Sequence, residues 1–363
     1  MTAEPTQRTA PDRPRLRLSG PADLVACVPY LLGFVPTESA VLLVLDERRE
    51  LVLSARADLP ADDTLEGWLT GAAALGRYLG AAGLRAGGES AVCVLYPPPG
   101  VGGELEPDSP WRAFAGAFAG SFVPRRAPDT PGALELIETV LVSDGRWWSL
   151  QCDQQDCCPR TGRTLPEHGT TAAEAGAVAA GMTFAASRDE VASQLEPAPD
   201  AESRAVEALI GSAGLSPQEG LAYVDGLLAR CRQGATDLSP EEIAGVLRAV
   251  DHVLVRDAVS WCGSAAEAEV ATAFWKHVVR VARGPWVTEA AMLLAAAAYQ
   301  LGDGLLAGLA TERLLRQAPD HVMGTYLAQA LDEGLPPAAL RPVFEDGSAQ
   351  ARARITHEGG EMS

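Results

Sequence analysis

Short apolar runs and helical periodicities alternate along the first half of the chain, and helical periodicity alone fills the second. The segment after Ser19-Gly20-Pro21, ADLVACVPYLL, reads as a helix with Pro21 in its first turn and Gly33 at its end, kinked or shortened by Pro29. Residues 40–46, AVLLVLD, are too apolar to alternate, which predicts a strand covered on both faces. Residues 50–58 do alternate and follow a short charged turn, so the two runs predict a β-hairpin. Apolar positions at helical spacing from Thr64 to Leu84 predict a helix, and SAVCVLY at 90–96 predicts another buried strand. A loop rich in Pro and Gly leads to a short helix at 111–122. ALELIETVLV and RWWSLQC, joined by Asp144-Gly145, predict a second hairpin with a type I′ turn. Apolar hairpins of this kind need helical cover, so the expected fold is α+β: a mixed sheet flanked by helices over 15–195, followed by an all-α domain over 201–345.

The boundary between the two is expected at EPAPD, 196–200, just after a helix opened by the capping-box pattern Ser187-Arg-Asp-Glu190. Beyond it, helices are predicted at 201–212, 217–233, 240–260, 265–282, 287–301, 303–317, 320–333 and 337–345. Leu294, Ala295, Gly302, Asp303, Ala307, Leu314 and Pro319 have the spacing of one tetratricopeptide repeat, a spacing that a well-packed helical hairpin satisfies equally. Residues 1–14 and 346–363 are polar and are expected to be disordered tails.

Composition narrows the function classes. A formal charge of −19 repels phosphate backbones and anionic lipid, so neither nucleic acid nor a membrane surface is an expected partner. The N-terminus has no signal-peptide apolar core, and the longest apolar run, Ala290 to Tyr299, is too short to span a bilayer; both point to the cytoplasm. The seven cysteines are odd in number, and four lie in apolar or helical runs, as thiols of a reducing compartment do.

Two constellations carry possible chemistry. Cys152, Cys157 and Cys158, with His168 further on, offer zinc ligands. A packed thiol cluster or redox chemistry would use the same residues, and two adjacent cysteines are awkward partners for one metal. Arg56 and Asp58 project from one face of a strand; together with Ser39 they could converge with Arg146, Trp148 and Ser149 on a polar or anionic ligand at the sheet ends. The alternative there is a structural ion pair. No nucleotide-binding loop, nucleophile elbow or H-E-x-x-H motif occurs, and the paired tryptophans Trp147 and Trp148 should face opposite sides of their strand. The leading expectation is a non-enzymatic interaction or regulatory protein with a protein partner or self-association. A small-molecule-binding or hydrolytic protein and a zinc protein are the alternatives.

LSGPADLVACVPYLLGFVPTESAVLLVL, RADLP and GRWWSLQC followed by CCPRTG resemble the domain of unknown function 4192 family of actinobacteria. The resemblance implies a bacterial cytosolic protein without an assigned activity. It directs attention to Gly33, Phe34, Pro36, Ser39, Arg56, Asp58, Trp147, Trp148, Ser149, Cys152, Cys157 and Cys158. Family members often carry a histidine where this chain has Val35.

Overall fold

The computed structural model describes residues 20–101, 103–122, 134–211, 215–235 and 237–360. The tail expected at 1–14 lies outside the described residues. The chain forms two compact units, Met1–Arg188 and Asp189–Ser363. No helix among the described residues is long and apolar enough to cross a membrane.

The first unit holds α1 (Pro21–Leu32), β1 (Ser39–Leu45), β2 (Leu51–Asp58), α2 (Leu65–Arg85), β3 (Ser90–Tyr96), α3 (Pro110–Gly120), β4 (Glu135–Ser143), β5 (Arg146–Ser149), the two-residue β6 (Arg163–Thr164) and α4 (Ala172–Ala179). The six strands make one mixed sheet in the order β2-β1-β3-β4-β5-β6, with β3 and β4 parallel and the other pairs antiparallel. Both predicted hairpins are therefore in a single sheet, with β3 between them.

Its central strands β1 and β3 are apolar from their second residue on because both faces are covered. Leu42, Val44, Cys93, Leu95, Leu141 and Trp148 pack against Leu75 and Leu79 of α2 and Phe114 and Phe118 of α3. On the other face Val41, Leu43, Val94, Val140 and Trp147 meet Val25 and Val28 of α1. Trp147 and Trp148 thus separate onto opposite faces, as strand periodicity requires. Asp144 and Gly145 both have positive φ, 48° and 71°, the backbone that a type I′ turn demands. α1 runs past Pro29 to Leu32 and ends on left-handed Gly33, so the proline does not shorten it.

The second unit is helical throughout its described residues: α5 (Arg188–Ser193, which begins at the last residue of the first unit), α6 (Asp200–Ile210), α7 (Pro217–Arg232), α8 (Pro240–Val250), α9 (Val253–Ala258), α10 (Ala265–Val281), α11 (Val287–Leu301), α12 (Gly304–Gln317), α13 (Val322–Asp332) and α14 (Pro337–Gly360). α11 is buried nearly all round, and its alanines give close approach to α10 and α12. α11 and α12 form the helical hairpin whose spacing suggested a tetratricopeptide repeat; the likeness rests on that spacing alone.

Three expectations are corrected here. Segment 196–200 is no free linker: the Ala198 amide donates to the Arg280 carbonyl (2.7 Å), its own carbonyl accepts from Arg283, and its side chain is buried. The helix expected at 240–260 breaks at Asp251-His252, where His252 takes extended backbone and its Nδ1 accepts the Leu254 amide as the cap of α9. The tail expected from 346 onward is helical to Gly360 in α14. Phe344, Ser348, Ala351 and Ile355 form a buried seam at helical spacing, Ser348 Oγ donates to the Ala258 carbonyl, and Arg352 grips Asp225 through two bonds of 2.8 and 3.0 Å.

If this helix is integral, Ile355→Ala should cost about 2–4 kcal/mol in urea denaturation of the full chain. Exposed Val343→Ala should stay within about 0.5 kcal/mol. Equal, negligible effects would show the segment to be frayed.

Candidate metal centre

The β4–β5 hairpin delivers the chain at Leu150 to a loop that returns as β6. Ser149, at the end of β5, is buried and joins two groups. Its Oγ lies 3.0 Å from both carboxylate oxygens of Glu138, to which it donates, and it accepts the Cys152 amide at 3.0 Å. A turn follows in which the Gln154 carbonyl accepts the amides of Cys157 (3.2 Å) and Cys158 (2.7 Å). This folds the adjacent cysteines back toward Cys152.

The result is a three-sulfur cluster. Cys152 and Cys157 Sγ are 3.3 Å apart, Cys157 and Cys158 Sγ are 3.8 Å apart, and all three lie within 4.8 Å of one another. Zinc–sulfur bonds of about 2.3 Å in tetrahedral geometry place sulfurs ~3.8 Å apart, inside that observed spread. The difficulty expected of neighbouring Cys157 and Cys158 does not arise, because the Gln154 turn aims both side chains at one point. Among the described residues no other group of three or more His, Cys, Asp or Glu converges in this way.

Guanidinium groups pin the loop. Arg112 Nη1 donates to the Leu150 carbonyl (3.1 Å) and pairs with Asp153 (3.0 Å), and Arg163 Nε donates to the Cys157 carbonyl (2.6 Å). Arg146 Nη1 donates to the carbonyls of Thr161 (3.0 Å) and Gly162 (3.2 Å), and Arg160 pairs with Glu106. The Arg160 carbonyl accepts both Trp148 Nε1 and the Leu105 amide at 2.8 Å. Gly162, at φ 72°, lies so close under Trp148 that a Cβ would sit 2.5 Å from the indole. Such a loop holds its sulfurs together through protein contacts alone.

The thiols differ electrostatically. Hydrogen bonds from the Gln154 amide and from the neighbouring thiols hold the Cys152 pKa below the ordinary thiol value. Burial, then the adjacent sulfurs, push Cys158 up to about 12. Burial also raises the Glu138 carboxyl, against the opposing hydrogen bonds from Ser149 and the Thr139 amide.

The remaining candidates do not assemble around this point. His168 is apart from the cysteines: its Nδ1 is 3.3 Å from Glu174, and its ring leans toward Phe184. Arg56 forms an ion pair with Asp58 at 2.6 Å on edge strand β2, with three strands between it and β5, roughly 19 Å at ~4.8 Å per strand. The expected convergence of Ser39, Arg56 and Asp58 with Arg146, Trp148 and Ser149 is thus not formed. Ser39 is fully buried on β1, its Oγ without a hydrogen-bond partner, while Arg146, Trp148 and Ser149 serve the cysteine loop. Sequence reasoning missed Glu138, Gln154, Arg112 and Arg163. Glu138 alone left a trace, as a carboxylate in the middle of a largely apolar strand run.

A family profile described as a domain of unknown function, DUF4192, matches residues 21–338, nearly the whole chain. The chain belongs to this family. The match takes in the complete sheet, the cysteine loop and most of the helical unit, so both units are part of the DUF4192 region. Comparison with curated proteins and with solved structures returns no match.

Glu174, which holds His168, is itself nearly buried at the N-terminus of α4. Burial alone would raise its pKa, but hydrogen bonds from the Gly169 and Thr171 amides, the Thr171 hydroxyl and His168 hold it below the ordinary carboxylate value. The stabilisation is thus present above the unfolded pKa and lost as pH falls through the folded one. Glu174→Gln should lower the denaturation midpoint at pH 7, with the difference from wild type shrinking at pH 3.5. A pH-independent difference would contradict this assignment.

Proposed function

We propose that this DUF4192 member is a non-enzymatic regulatory protein of the cytoplasm that binds a soft divalent metal, zinc in the first instance, through Cys152, Cys157 and Cys158. The observation that carries the reading is the convergence of three sulfurs in a loop pinned by protein contacts. Preorganisation of that kind lowers the cost of binding, because little chain entropy is left to lose.

Three protein ligands leave the fourth zinc position open, the arrangement that in catalytic sites activates water. That favours, at first sight, the hydrolytic alternative, with Glu138 one hydroxyl away from Cys152. The charge argues otherwise. Three thiolates turn Zn²⁺ into a centre of net −1, with the carboxylates of Glu138 and Asp153 nearby, and such a centre acidifies bound water far less than one held by neutral imidazoles. A fourth ligand supplied by a protein partner fits better, and it makes metal occupancy a condition of association. The engagement of Arg56 with Asp58, and of Arg146 with backbone carbonyls, supports the non-enzymatic side of the reading.

Elemental analysis of the reduced, purified full chain should find about one equivalent of zinc, and less than about 0.2 equivalents would remove the proposal. Substituting Cys157→Ser should abolish retention, whereas Cys231→Ser, outside the cluster, should not. Ser149→Ala, which leaves the Cys152 amide and the Glu138 carboxylate without their shared hydroxyl, should weaken zinc binding about 10–100-fold in competition with a chromogenic chelator.

A further inference from the structure

The cluster has a second capability that follows from its distances and exposure. Cys157 is exposed, Cys152 and Cys158 are partly so, and the Cys152 and Cys157 sulfurs are already 3.3 Å apart. A disulfide needs about 2.05 Å, a closure of little more than an ångström by side-chain rotation. Cys158 is a poorer partner for Cys157 in spite of its 3.8 Å sulfur distance. Neighbouring Cα atoms are fixed about 3.8 Å apart by the peptide bond, below the roughly 4.4–6.8 Å that a relaxed disulfide spans. The backbone also favours the Cys152–Cys157 pairing: Ser149 holds the Cys152 amide and Arg163 holds the Cys157 carbonyl, so the two residues face each other across the Gln154 turn.

The other cysteines offer no comparable pair. Cys27, Cys93 and Cys262 are buried, and Cys231 lies on a different helix of the second unit. Oxidation is therefore directed to one place in the chain.

We propose that Cys152 and Cys157 form a reversible disulfide in response to a hydroperoxide oxidant, with Cys158 remaining a free thiol, and that this discharges the metal. The Cys157 thiolate attacks one peroxide oxygen and the O–O bond breaks. The departing hydroxide takes up a proton as water, leaving Cys157 as a sulfenic acid. The Cys152 thiolate then attacks the Cys157 sulfur, forming the S–S bond and breaking S–O, and a second hydroxide leaves as water. Two thiols have lost two electrons and two protons, and one hydrogen peroxide has become two waters. A thiol reductant reverses the step by exchange. Loss of two of the three protein ligands releases the metal. That last consequence rests on the zinc reading above, whereas the disulfide does not.

The test treats the full-length, reduced chain, with and without bound zinc, with stoichiometric hydrogen peroxide, followed by alkylation and mass mapping without reduction. The peptide between Arg146 and Arg160 carries all three cysteines. The expected product has one alkylated cysteine and is lighter by two hydrogens, with five of the seven thiols of the chain still free. Cys158→Ser should still form the disulfide, and Cys152→Ser should instead leave Cys157 as a sulfenic acid that a dione probe traps. A zinc indicator in the same solution should report one equivalent released per disulfide formed. Disulfide loss in Cys158→Ser, or over-oxidation of wild-type Cys157 without a disulfide, would overturn the proposal. A disulfide in a chain that never held zinc would uphold it while removing the metal reading. Zinc binding without any disulfide would do the reverse.

Discussion

Strands β1 and β3, with Thr139–Leu141 of β4, present no face to water, and the layout of the first unit follows from that. A strand buried on both sides must have helices on both sides, so α1 covers one face while α2 and α3 cover the other. Because β3 and β4 run parallel, the chain has to cross from the end of one to the start of the other, and α3 rides on that crossover. The same segment carries Leu105, Glu106 and Arg112 to the loop between β5 and β6. The cysteine loop is thus supported by a part of the chain distant in sequence, put there by the need to cover a sheet.

Six of the seven cysteines fall into two environments. Cys27, Cys93 and Cys262 are buried and burial raises all three, Cys27 to about 11 and Cys262 to about 12. These behave as small apolar residues. Cys152, Cys157 and Cys158 sit where sulfur meets the Gln154 backbone, neighbouring thiols and solvent, and there chemistry is available to them. Protein interior and reactive loop are separated by a few residues on either side of Ser149, whose hydroxyl ties the end of β5 to the backbone of half-buried Cys152.

What could be read from residues alone depended on whether the signal was local. The Asp144-Gly145 turn was legible because its backbone geometry demands those residue types, and the two-sided burial of 40–46 was legible because no polar residue interrupts it until Asp46. The part of α14 beyond residue 345 was not, since its seam uses Ser348 and Ala351 where apolar bulk would have announced it. The three cysteines were visible as a pattern, but their convergence depends on a carbonyl at Gln154 that side-chain identity does not encode. His168 misled through nearness in sequence: its proximity to the cysteines counted for less than the capping carboxylate of Glu174. Arg56 and Asp58 share a face as strand spacing requires, yet strand order, a property of the whole sheet, sets them far from Arg146.

The support given by Leu105, Glu106 and Arg112 also has a kinetic side. A β-hairpin such as β4–β5 closes in microseconds from local contacts, whereas the β3–β4 pairing must first close a long excursion of chain. Until it does, the loop lacks the contacts from Leu105, Glu106 and Arg112 that pin it. A chain whose crossover is open therefore has only the local Gln154 turn and Ser149 to gather the three sulfurs, and its cysteine loop is the less rigid for it.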